Sequence, residues 1–105
     1  MIRHVVLYSY RSDIPDEVIN KIYEDLDKVS AKLPGRLSYS WGKTDGYDKG
    51  CKGYTHSLVM DFEDEKAREL FMTDPERAAL SKREVLPRMV GGSEGVVWLD
   101  FAWNK

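Results

Sequence analysis

Gly53-Tyr54-Thr55-His56-Ser57-Leu58-Val59-Met60-Asp61-Phe62-Glu63 is the stretch whose reading decides the fold of this chain. Alternation places Tyr54, His56, Leu58 and Met60 on one face of a strand, and Thr55, Ser57 and Val59 on the other. The opening run, Ile2 to Tyr10, repeats the pattern, with His4, Val6 and Tyr8 on one face and Arg3, Val5, Leu7 and Ser9 opposite. The chain has 2 histidines, and each stands near the start of an apolar strand on the face that can turn inward. An imidazole carries a donor and an acceptor, both of which need partners when buried. Each ring is therefore either a satisfied core residue or the polar handle of a pocket.

Working outward, Ser12-Asp13-Ile14-Pro15-Asp16-Glu17 carries helix-start chemistry: cap candidates, a proline for the first turn, and acids near the positive end of the dipole. Val18, Ile19, Ile22, Tyr23, Leu26, Val29 and Leu33 follow helical spacing until Pro34-Gly35 stops the helix. Leu37, Tyr39 and Trp41 alternate with Ser38 and Ser40, which predicts a half-buried strand. A polar, glycine-rich loop runs from Gly42 to Lys52. Beyond the decisive stretch, Asp64 caps a second helix with Ala67, Leu70 and Phe71 as its apolar stripe. Asp74-Pro75 breaks that helix and starts a short one, and Lys82 to Met89 is helical until Pro87 kinks or ends it. Gly91-Gly92-Ser93-Glu94-Gly95 is a connection, and Val96 to Trp103 is the last strand. The order β-α-β-β-α-β predicts an α+β fold, a ferredoxin-like sandwich with helices on one face of a four-stranded antiparallel sheet. At 105 residues, 1–105 is expected to be one domain.

Lys plus Arg is 16 and Asp plus Glu is 18, with the signs interspersed and a net charge of −2. No basic stripe is present to neutralise phosphates, so no nucleic acid and no membrane surface is expected as a partner. The apolar runs are strand-length, too short to span a bilayer. The opening Met1-Ile2-Arg3-His4-Val5 carries no signal-peptide pattern, which makes the cytoplasm the expected location. Cys51 is alone, so neither a disulfide nor a metal cluster is expected. The acid run Asp61, Glu63, Asp64 and Glu65 reads as a solvated strand end and helix start, without the spacing of a cation site.

Helices cover only one face of such a sheet. The other face collects Arg3, Val5, Leu7, Thr55, Ser57 and Val59, with Val97 and Leu99 from the last strand. Its centre is too apolar for a solvated monomer, so a homodimer closing two sheets into a barrel is expected.

The pattern Ile2-Arg3-His4-Val5-Val6-Leu7, Pro34-Gly35, Trp41-Gly42, Gly53-Tyr54-Thr55-His56, Phe62-Glu63, Asp74-Pro75 and Asp100-Phe101 resembles the stress-responsive dimeric α/β-barrel (Dabb) domain family. Gly-Tyr-Thr-His is its most specific part, and Ser81 to Gly95 is longer than the pattern. The resemblance implies a ferredoxin-like protomer, a dimer through the sheet, and a pocket between helices and sheet. The family includes plant stress proteins and olivetolic acid cyclase, a polyketide cyclase that performs aldol condensation without a cofactor. Its pocket histidines match His4 and His56. Its acid/base tyrosine and histidine fall on Phe71 and Arg77, which have neither a hydroxyl nor an accessible base. That acid/base pair does not carry over.

His56 and His4 are the candidate catalytic groups, with His56 the first choice as base. The sheet would supply Val6, Tyr8, Tyr39, Leu58 and Trp98 to the pocket, and the helices Ile22, Tyr23, Leu26 and Phe71. Arg77 would be a fixed cation for a carboxylate or enolate. Tyr8, Tyr23, Tyr39 and Tyr54 are candidate hydroxyl donors, or core residues with an edge hydroxyl. Beside a cofactor-free monooxygenase of the related ferredoxin-like dimer class, ranked last because Gly-Tyr-Thr-His belongs to the Dabb pattern, two functions remain open. One is a pocket for a small, partly apolar, carbonyl-bearing molecule, with cofactor-free proton transfer of cyclase or isomerase type. The other is a non-catalytic stress-responsive or assembly module whose pocket is filled by its own side chains. A cavity of roughly 300 Å³ or more lined by both histidines favours the first.

Overall fold

The structure is a computed structural model, and it describes residues 1–47 and 49–104. Asp48, within the polar loop, and Lys105 at the terminus lie outside the described residues. The strands are β1 (Ile2–Tyr8), β2 (Arg36–Lys43), β3 (His56–Phe62) and β4 (Val96–Ala102). They form one antiparallel sheet in the order β2-β3-β1-β4. Helices α1 (Asp16–Ala31), α2 (Glu65–Met72) and α3 (Pro75–Leu80) complete a ferredoxin-like α+β sandwich.

Period-2 alternation sorts the two faces of β1 as the sequence predicts. Ile2, His4, Val6 and Tyr8 are buried, while Arg3 and Val5 are half-buried and Leu7 is exposed. The helical spacing of α1 buries Ile19, Ile22, Tyr23, Leu26 and Val29 against that sheet face. Gly35 ends the connection at φ +89°, and a Cβ there would lie 2.5 Å from Ala67 Cβ. Only glycine fits both the left-handed backbone and the close approach of α2.

Several boundaries differ from the sequence expectation. Helix α1 begins at Asp16 behind an extended Pro15, with no side-chain cap, so Ser12 and Asp13 do not cap it. The acids Asp16 and Glu17 stand in the first turn instead, near the positive end of the helix dipole. Strand β1 ends at Tyr8, because Ser9 N–H donates to Gly95 O and Val90 N–H donates to Ser9 O, tying the chain to the segment before β4. Leu37 is 53% exposed, since the register shifts between Arg36 and Ser38 and takes it off the buried face. Leu70 lies on the solvent flank of α2, whose buried residues are Ala67 and Phe71.

Asp64 and Asp74 cap α2 and α3 by accepting from the amides of Ala67 and Arg77. No breaker follows Leu80, so α3 runs on into a wide π turn at Ser81–Val85 and a 3₁₀ turn at Leu86–Arg88, where Pro87 sits. The separate helix expected from Lys82 is this continuation.

The open sheet face bears Leu7, Val97, Leu99 and Phe101 as exposed apolar residues. Register places Leu99 beside Val5 and Val97 beside Leu7. Asp61, expected in a solvated strand end, is buried at the edge of this face. It accepts from Arg3 Nε at 2.8 Å, Arg3 Nη2 at 2.9 Å and Ser38 Oγ at 3.1 Å. The Arg3 guanidinium holds its carboxyl below the usual carboxylate range. Arg3 also covers the Trp103 ring at 4.4 Å.

Candidate functional site

A cavity of about 240 Å³ opens between the β3-β1-β4 part of the sheet and the α2–α3 segment with its π turn. His4 lies in its wall. The residue is 4% exposed, and its ring Nδ1 is 2.6 Å from Asp100 Oδ1. Strand register makes this contact, because His4 and Asp100 are direct partners across β1 and β4. An ionised carboxylate can only accept, so Nδ1 carries a proton, and in the neutral form of the ring the lone pair is on Nε2. Phe71 stands edge-on to the ring at 5.9 Å and Phe62 lies at 6.3 Å, so apolar groups flank the imidazole. The second oxygen of Asp100 is 3.4 Å from Arg68 Nη1 on α2. Three elements thus converge on one imidazole.

The rest of the lining is mostly apolar: Val6, Leu26, Leu58, Met72, Leu80 and Val85, with Trp98 at the edge. Trp98 is 57% exposed, because the helices stop short of the outer side of β4. Polar groups enter through Tyr8, Arg77, Ser81 and Ser93. Burial pushes the Tyr8 phenol well above its ordinary value, with Tyr10 adding to the effect, so it stays protonated. Arg77 is partly committed elsewhere. Its Nε donates to Phe71 O at 3.3 Å and its Nη2 to Met72 O, and the guanidinium lies 5.3 Å from the Phe71 ring. It closes the negative end of α2 while facing the cavity.

The remaining predicted site residues lie elsewhere. His56 is not in the cavity with His4; it pairs with Tyr8 across β1 and β3 and borders an open hollow with Lys43, Tyr54 and Thr55. Its Nδ1 is 2.8 Å from Thr55 Oγ1, and its ring stands edge-on to Tyr10 at 5.2 Å. Burial lowers its proton affinity, Lys43 lowers it further, and Asp16 opposes both. Ile22, Tyr23 and Tyr39 belong to the packed core rather than the cavity wall. Tyr23 is fully buried, with its hydroxyl 2.8 Å from that of Tyr10, and its carbonyl accepts from Tyr39 Oη at 2.6 Å. Burial raises all three phenols, that of Tyr10 to about 12.

The family model of the stress-responsive A/B barrel domain (Dabb) matches residues 2–101. The chain belongs to the Dabb family. Among curated proteins, no sequence match was found. Solved structures agree on the fold. A dimeric ferredoxin-like protein of unknown function from Jannaschia sp. CCS1 superposes with a TM-score of 0.85 at 17% identity, covering 97% of this chain and 98% of that one. A hydroxynitrile lyase from Passiflora edulis gives 0.80 at 24% identity, covering 99% and 94%. A variant of a cofactor-independent oxygenase from Streptomyces nogalater gives 0.76 at 10% identity, covering 99% and 93%.

Within this Dabb chain the Gly-Tyr-Thr-His segment is a stitch between strand ends. Thr55 N–H donates to Tyr8 O at 2.8 Å, Thr55 Oγ1 accepts from Tyr10 N–H at 3.1 Å, and Ser9 Oγ donates to Gly53 O at 2.9 Å. Asp100, Arg68, Ser81 and Ser93 escaped the sequence reading as site residues. Asp100 had one available signal, since an acid on the inward face of the last strand must find a partner on the neighbouring strand. Among the described residues, no cluster of three or more His, Cys, Asp or Glu side chains is arranged to hold a metal ion. No helix among them is long and apolar enough to cross a membrane.

Proposed function

We propose that this Dabb protein is a cytoplasmic homodimer, joined through the open sheet face, whose helix–sheet cavity takes a small, partly apolar, carbonyl-bearing molecule. His4, rather than His56, is the general base, removing a proton α to the carbonyl without a cofactor. The observation that carries this is the pairing of His4 Nδ1 with Asp100 Oδ1 at 2.6 Å in the cavity wall. It leaves Nε2 as the basic nitrogen of an imidazole held in one orientation. Arg77 and the Tyr8 hydroxyl are the groups suited to stabilise negative charge on the carbonyl oxygen. An apolar lining suits the carbon skeleton. A lyase and a cofactor-independent oxygenase on the same fold support a catalytic use of it.

The cavity's size favours small ligands. At about 240 Å³ it exceeds the roughly 150 Å³ that accommodates benzene. It is also below the usual lower bound of about 300 Å³ for ligand pockets, and it holds one histidine rather than two. Those two facts favour the second reading, an assembly module whose interior is nearly filled. Amide NMR spectra with benzaldehyde, acetophenone and methyl ketones of increasing length separate the two. Shifts confined to Val6, Tyr8, Leu58 and Phe71, and lost in His4→Ala, support the ligand site. No perturbation at millimolar ligand supports the filled module.

A further inference from the structure

We propose that Arg68 is a positioning residue for the imidazole of His4, acting through Asp100; this rests on His4 being the base. Arg68 reaches from α2 to Asp100 Oδ2 at 3.4 Å, while Asp100 Oδ1 is 2.6 Å from His4 Nδ1. Each carboxylate oxygen therefore has its own partner, and the carboxylate is held from both sides. The side chains of His4 and Asp100 are largely buried and that of Arg68 is partly so, which limits screening by solvent.

The arrangement also balances charge. A lone carboxylate against an imidazole draws a proton onto the ring and consumes its lone pair. Arg68 neutralises Asp100, so the ring receives an orienting acceptor without a net negative neighbour. The other groups around His4 are Phe71 from α2, Met60 and Phe62 from β3, and Tyr8 further along β1. Tyr8 is neutral, because burial raises its phenol. Arg77 is the further cation on the cavity wall, engaged with the carbonyls that end α2 rather than with Asp100. Arg68 is thus the cation matched to the carboxylate that holds His4.

The test is an NMR titration of the His4 ring in the full chain, in wild type, Arg68→Met, Arg68→Gln and Arg68→Lys. Removing the charge in Arg68→Met and Arg68→Gln leaves Asp100 uncompensated and raises the pH midpoint of His4. Arg68→Lys keeps the charge and returns it close to wild type. Arg68 is half-buried on the surface of α2, so truncation leaves the core intact. An unmoved His4 midpoint in both uncharged variants, with native amide spectra, overturns the proposal. The titration needs no ligand. A shifted midpoint without any ligand binding would retain Arg68's influence on the ring while removing the catalytic reading of the cavity.

Discussion

His56 sits directly across from Tyr8, four residues along β1 from His4, so the two imidazoles are separated by about 13 Å of strand. They share one sheet face and do not share a site. One is paired with a carboxylate in a cavity wall; the other is packed against Thr55 and Tyr10 at the opposite end.

The two histidines should therefore respond differently to truncation. His56→Ala leaves a void beside Tyr10 and removes a partner of Thr55, and is expected to cost about 2–4 kcal/mol. His4→Ala should abolish ligand-induced shifts. Urea unfolding of both variants checks this, and a His56→Ala chain as stable as wild type would refute the structural role.

Stability should depend on pH through His56. Burial lowers its folded proton affinity beneath the unfolded value of about 6.5. Between the two values the unfolded chain binds more protons, so the contribution is complete above the unfolded value and is lost as pH falls through the folded one. Urea midpoints near pH 5 and pH 7.5 measure it, and His56→Gln should flatten the difference. An unchanged difference would assign the slope to other groups.

Leu7→Asp should disrupt the dimer. Leu7 is exposed on the apolar face, beside Val97. A stable contact there should bury at least about 1,000 Å², and a charge buried within it should give a monomer or an insoluble chain. Sedimentation of wild type as a monomer at micromolar concentration would contradict the homodimer.

Olivetolic-type aldol cyclisation should be slow. Phe71 offers a ring edge to His4, and Arg77 is bound to the carbonyls at the end of α2. Loss of positioned proton transfer commonly costs about 10² to 10⁴ in rate. Rapid product formation from a linear tetraketide thioester would show that His4 with another donor replaces that pair.

The fold was legible because its signals are local. Alternation in Ile2–Tyr8 and His56–Phe62, and helical spacing from Ile19 to Val29, encode burial directly. The site was legible only in part: Val6, Tyr8, Leu26, Leu58, Phe71, Arg77 and Trp98 line the cavity with His4, whereas His56, Ile22, Tyr23 and Tyr39 do not. Parity identifies a residue's face but not its position along the strand, and position is what separates His56 from His4. The His4–Asp100 contact spans 96 residues of sequence and exists through β1–β4 register alone. Leu37 shows the same limit, since one register shift cancelled a correct alternation.

The π turn at Ser81–Val85 has a consequence for how this family can diversify. A π turn takes in one residue more than an α-helical turn, and this one lies on the cavity wall outside every strand. Insertions or deletions there leave all three strand registers untouched while changing the depth of the cavity. The size of the cavity is thereby uncoupled from the sheet that holds His4, and its depth can be reset by changing chain length at one helical bulge.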